Sequence, residues 1–211
     1  MSSQSIATPD SLLERVGDAS TVLLLAPSLD SCDNDACRDL LTITEPTQEN
    51  VLSVTFTQSA HDRVDLWDGH IDERPAQTGI ISVGEMMRST TANASTTSQQ
   101  SVGPLVIETV PDPSDLTDLG MTISSFLSEW DGNGNQTAAC FHSITPLLQY
   151  ANVQRVFRFL DVLTGKFESS EVVAHHHMDP NAHDQQAIST LTPLFDAIVE
   201  RDENDEWSVR Q

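Results

Sequence analysis

The sequence is almost without lysine. Of its ten basic residues only Lys166 is one, against 32 aspartates and glutamates, and the formal net charge is −22. A phosphate-binding loop sets glycines beside a lysine that reaches the terminal phosphates, and Lys166 stands away from any such loop. Clusters of basic residues are missing too. That excludes nucleic acid and anionic membranes as expected partners, because both are bound by counterion release around Lys and Arg. Aromatic residues are scarce, at 5%. Short carboxylates, arginine in place of lysine and few rings give a surface that stays hydrated where molar salt cuts the screening length to ~3 Å. The expectation is a protein of a high-salt cytoplasm that loses stability in dilute buffer through acidic self-repulsion.

Three cysteines, Cys32, Cys37 and Cys140, are an odd number at spacings that match no zinc or disulfide framework. They are expected as reduced thiols. Asp33 and Asp35 oppose a thiolate at Cys32 or Cys37, which reads both as small packing groups. No apolar run reaches the ~18 residues of a membrane span, and residues 1–20 lack a basic segment followed by an apolar one. The protein is expected to be soluble and cytoplasmic.

The 211 residues, 38% hydrophobic, suffice for one sizeable core. Residues 1–9 are Ser-rich and expected to fray, and 10–211 are expected to form a single domain. Leu12, Leu13 and Val16 space a short helix. Thr21-Val22-Leu23-Leu24-Leu25-Ala26 is a continuous apolar run, as in a strand covered on both faces. A helix through Ala36, Cys37, Leu40 and Leu41 follows, with Asp33 or Asn34 as its cap. Strands are expected over 51–57, 78–83 and 104–110, with a short helix over 59–67. Residues 89–103 are Ser, Thr, Asn and Gln with scarcely an apolar side chain, which predicts a mobile loop.

Leu116, Leu119, Ile123, Phe126, Leu127 and Trp130 recur at three-and-four spacing and predict a long helix. A strand over 137–141 follows. Val153, Val156, Phe157, Leu160 and Leu163 stripe a further helix expected to stop at Gly165. Residues 170–176 read as a strand, and Asp179-Pro180 as the start of a helix carrying Ile188, Leu191, Leu194 and Phe195, shortened by Pro193. The C-terminal segments 197–201 and 206–210 predict a β-hairpin. Strands alternating with helices imply an α/β fold, a mostly parallel twisted sheet with helices on both faces.

The order of these elements resembles the RecA-like P-loop ATPase core. It resembles most the KaiC-like branch, in the reduced form found in salt-loving archaea as a domain family of unknown function. The residues behind the likeness are Thr21 to Ala26, Leu105-Val106-Ile107-Glu108, Phe141-His142-Ser143-Ile144-Thr145-Pro146-Leu147-Leu148, Arg158-Phe159-Leu160-Asp161, His177-Met178-Asp179-Pro180 and Leu194-Phe195-Asp196. Most of residues 18–211 are covered by it. In an active member the turn after the first strand reads G-x-x-x-x-G-K-[ST]. Here it reads Pro27-Ser28-Leu29-Asp30-Ser31-Cys32-Asp33, with neither glycine nor lysine. A carboxylate ~4 Å from a phosphate oxygen costs ~1 kcal/mol in water and ~4 near a protein surface. The resemblance therefore implies a form without an intact phosphate loop.

Ligands of open α/β sheets bind beyond the carboxyl ends of the strands. The expected rim holds Ser28, Asp30, Thr57, Glu108, His142, Ser143 and His177, of which Ser28, Asp30, Glu108 and His142 are the candidate nucleotide-side residues. By the resemblance Glu108 stands in for the Walker B carboxylate and His142-Ser143 for a sensor residue. On a strand His175 and His177 share a face, with Asp179, His183 or Asp184 near enough in sequence to join them. His175, His177 and His183 are the candidate divalent-metal ligands, with structural and helix-capping histidines as the other reading. No other cofactor is expected. The functional expectation is a non-catalytic RecA/KaiC-like regulatory or scaffold protein that works through protein contacts or self-association. The alternative is an atypical ATPase using Glu108 and a metal ion.

Overall fold

The computed structural model describes residues 11–27, 32–65, 74–84, 100–102, 104–201 and 207–211. Strands β1 (Thr21–Leu25), β2 (Glu49–Thr55), β3 (Gln77–Val83), β4 (Gln100–Val102), β5 (Leu105–Val110), β6 (Gln136–His142), β7 (Val172–Met178), β8 (Ala197–Arg201) and β9 (Trp207–Arg210) form one sheet in the order β4-β5-β3-β2-β6-β7-β1-β8-β9. Six neighbouring pairs, from β5/β3 across to β1/β8, are parallel. Only the edge pairs β4/β5 and β8/β9 are antiparallel. The fold is thus α/β with a mostly parallel sheet. β1 and β2 are buried along their whole length, as their uninterrupted burial in the middle of a two-sided sheet requires.

Helices α1 (Leu12–Val16), α2 (Cys32–Leu41) and α3 (Ala60–Asp65) precede α4 (Leu116–Trp130), α5 (Ile144–Tyr150), α6 (Val153–Ser169) and α7 (Gln185–Leu191). Alternation along each strand sorts them to two faces. Val22 and Leu24 of β1 pack with Leu12, Val16, Ala36 and Leu40, while Val51 of β2 and Ala138 of β6 pack with Leu41. On the opposite face Leu23, Leu52, Val54, Ile81, Ala139 and Phe141 meet the apolar stripes of α4, α5, α6 and α7. Gly79 on β3 admits the ring of Phe126, where an added Cβ would stand 2.7 Å from it. Asp115 caps α4 by accepting from the amides of Thr117 and Asp118. Among the described residues no helix is long and apolar enough to cross a membrane.

Several boundaries differ from expectation. α6 runs through Gly165 to Ser169, because the buried Phe167 adds another apolar contact and Gly165 faces open space. The helix expected at Asp179-Pro180 is a 3-10 turn, Pro180–Ala182, and α7 begins only after Asp184, whose side chain accepts from the Ala187 amide. α5, unforeseen as a separate helix, starts at Ser143, whose hydroxyl accepts from the Thr145 amide. Within the segment expected to be a loop over 89–103, residues 100–102 form β4 against β5. Residues 89–99 and 103, and the expected tail 1–9, lie outside the described residues.

Candidate functional site

β1 and β2 send their following helices, α2 and α3, to one face, whereas β6 and β7 send α5 and α7 to the other. Where neighbouring strands diverge in this way a crevice opens beyond their carboxyl ends, here between β1 and β7 and between β2 and β6. Backbone bonds close its floor: the Ala26 amide donates to Met178 O at 3.2 Å and the Phe56 amide to His142 O at 3.1 Å. Above it, Thr145 Oγ1 accepts from the Asp179 amide at 2.9 Å and lies 3.1 Å from His183 Nε2. Among the described residues this part of the rim therefore presents hydroxyl and imidazole groups.

Directly below lies a polar layer between the sheet and helices α2 and α3. β6 and β7 run in register with Cys140 opposite His175, so period-two alternation aims Cys140, His142, His175 and His177 at the same face. The His142 and His177 rings lie 4.6 Å apart by centroid, and His177 and His175 5.1 Å apart. From α2, Cys37 descends onto this row: its Sγ is 3.4 Å from Cys140 Sγ and 3.2 Å from His175 Nε2. From α3, Arg63 Nη2 donates to Cys37 Sγ at 3.3 Å, and Nη1 to Gln58 Oε1 at 3.1 Å. One donor atom from each of Cys37, Cys140, His175 and His177 falls within 4.8 Å of every other. These four side chains are at most 4% exposed.

The electrostatics follow from that packing. Burial pushes the Cys37 thiol up, but the Cys140 hydrogen bond, the Arg63 charge and His175 outweigh it and hold the thiol well below its usual value. Arg63, 2% exposed, has its charge opposed by burial and favoured by Cys140 and Cys37, with the favourable effect prevailing. A buried guanidinium needs an anion, and thiolate sulfur is the one at hand. Burial lowers His175, partly offset by Cys37. On the other face His176, among Phe141, Phe167 and Phe195, is held down to about 3 by burial and by its two histidine neighbours.

Of the residues singled out in the sequence, Ser28 and Asp30 lie outside the described residues. His142 and His177 stand at the crevice, and His175 lies one strand repeat below. His183 is set apart, half-buried against Thr145, its protonation disfavoured by burial despite Asp179 and Asp184. Glu108 is not part of this site. Three strand spacings separate β5 from β6, about 14 Å, and five separate it from β1, about 24 Å. Burial raises the Glu108 carboxyl, and Glu129 and Asp118 raise it further. The two cysteines were read as packing groups or reduced thiols with no partner pattern. Their convergence with His175 and His177 depends on α2 crossing the sheet toward β6 and β7, and only the paired spacing of the two histidines signals it in the sequence.

Lys166 lines a different feature, a cleft of about 610 Å³ with Trp130, Asn135, Gln136, Glu171 and Val172, at the amino-terminal ends of β6 and β7. From there to the crevice is the length of β7, seven residues or roughly 20 Å.

The model of a family described as being of unknown function, DUF7504, matches residues 19–201. No curated protein matches the chain. Among solved structures, a protein of Pyrococcus horikoshii OT3 studied as project PH0250 is similar, with a TM-score of 0.57 and 10% identity over 91% of this chain and 86% of that one. At that identity the likeness is one of fold.

Proposed function

The chain belongs to the DUF7504 family, whose function is unknown, and from that premise we propose that it is a non-catalytic, RecA/KaiC-like regulatory or scaffold protein acting through protein contacts in a high-salt cytoplasm. One observation carries this reading: among the described residues, the crevice where a nucleotide would sit is faced by hydroxyl and imidazole groups, while the chain's single lysine sits at the opposite, amino-terminal end of the strands. Terminal phosphates bound there would meet no lysine to balance their charge. The strand order, with β1 inside a parallel sheet and the β1–α2 junction leading to one face, supports the RecA-like kinship. Met121, Tyr150 and Val162, exposed on α4, α5 and α6 of one face, supply apolar surface of the kind protein contacts use. Calorimetric titration with Mg-ATP in molar KCl tests the reading: no binding heat is expected, and micromolar affinity overturns it.

A further inference from the structure

We propose that Cys37, Cys140, His175 and His177 hold one divalent, borderline-soft metal ion, with Zn(II) the best match, in a closed site that ties α2 to β6 and β7. The donor set is two thiols and two imidazoles, which is the composition that selects tetrahedral zinc over the oxygen-seeking ions. In a tetrahedron with Zn–S near 2.3 Å and Zn–N near 2.05 Å, sulfur atoms stand about 3.8 Å apart and sulfur and nitrogen about 3.5 Å apart. The Cys37–Cys140 separation of 3.4 Å and the His175–Cys37 separation of 3.2 Å lie a few tenths inside those edges. All four donor atoms fall within 4.8 Å of each other.

Burial decides the kind of site. Exposures of 0% for Cys37, 1% for both Cys140 and His175 and 4% for His177, the ligand nearest the crevice, leave little room for a reacting water, so the ion has four protein ligands and serves structure. Charge decides the ligand state. Cys37 already stands as the anion paired with Arg63, so binding displaces the Cys140 proton, and two thiolates and two neutral imidazoles make a neutral centre with the ion. Sulfur keeps part of its negative charge in such a centre, and Arg63 Nη2, 3.3 Å from Cys37 Sγ, donates to it. Arg63 is therefore a positioning residue for Cys37. The ligands come from a helix and two strands, Cys37 and His175 lying 138 residues apart in sequence, so the ion would cross-link distant parts of the chain.

The test uses the full chain, purified in molar KCl without a metal-affinity step, stripped with chelator and titrated with Co(II), then Zn(II). One equivalent of cobalt is expected to give the intense visible bands of a tetrahedral ion with sulfur-to-cobalt charge transfer, and zinc to displace it. X-ray absorption of the zinc form should show two sulfur and two nitrogen neighbours. In Cys140→Ser the charge-transfer intensity should fall by about half, and zinc should raise the melting temperature of that variant less than that of the wild type. Absence of a stoichiometric cobalt complex, or a weak spectrum from oxygen ligands, overturns the proposal. If Cys140→Ser does not fold, the sulfur and nitrogen count in the wild type decides alone. A result of no metal with a buried Cys37–Arg63 ion pair would refute the site while leaving the proposed function standing.

Discussion

Replacing His176 by Phe isolates one large electrostatic cost in the core. The ring is fully buried among Phe141, Phe167 and Phe195, with centroids 5.6, 6.0 and 5.1 Å away. The Val22 backbone favours the charged form only weakly and satisfies neither nitrogen with good geometry. Burial sets its folded-state pKa at about 3, against 6.5 when exposed. Between those values the unfolded chain binds a proton that the folded chain refuses, so stability is complete above pH 6.5, falls as pH drops towards 3 and levels off below. The gap, at ~1.36 kcal/mol per pH unit, amounts to ~5 kcal/mol in all and ~2.7 by pH 4.5. At pH 7.5 the variant should lie within ~2 kcal/mol of the wild type, since losing two poorly satisfied nitrogens and inserting a larger ring oppose each other. Guanidinium denaturation of both proteins from pH 7.5 to 4.5 measures the difference directly, together with the smaller effect on the neighbouring His175 and His177. Parallel stability curves for the two proteins would refute the reasoning.

Other perturbations separate other parts of the fold. Glu49 is buried, with Oε1 accepting from the Ile43 and Thr44 amides, and burial raises its carboxyl to about 7. Its contribution is therefore full below pH 4.5 and lost as pH rises through 7, so Glu49→Gln should melt above the wild type at pH 8 and close to it at pH 5. Equal melting temperatures at pH 8 would contradict this. Gly79→Ala places a methyl 2.7 Å from Phe126 and 3.0 Å from Trp130 and should cost ~1–3 kcal/mol in chemical denaturation; a neutral effect would mean that the α4 contact gives way easily. With a net charge of −22, the melting temperature should climb from dilute buffer to molar KCl, and an unchanged value would count against a surface adapted to salt.

Much of the sheet is readable in the sequence because its strands are buried on both faces. β1 appears as an unbroken apolar run and α4 as a six-residue stripe, and both lie where their patterns put them. Boundaries were less legible where two local signals compete. Asp179 and Asp184 are both good caps: the first starts only a 3-10 turn, and the second starts α7. Gly165 reads as a stop, yet α6 continues because the burial of Phe167 outweighs a helix penalty of about 1 kcal/mol. Strand order is a tertiary property. Nothing in Leu105-Val106-Ile107-Glu108 reveals that β3, β2, β6 and β7 come between β5 and β1. For the same reason the shared face of His175 and His177 was visible, by alternation within one strand. Their meeting with Cys37 and Cys140 was not, because it requires the α2 crossing and the β6/β7 register together.

The proposed role stands or falls on whether the crevice above β1, β6 and β7 accepts a triphosphate. Isothermal titration of the full chain with Mg-ATP in molar KCl, with phosphate release followed in the same samples, measures this directly. No saturable heat and no phosphate release are the expected results. A micromolar dissociation constant, or turnover above the buffer blank, would show that the crevice balances phosphate charge without a lysine and would contradict a non-catalytic scaffold.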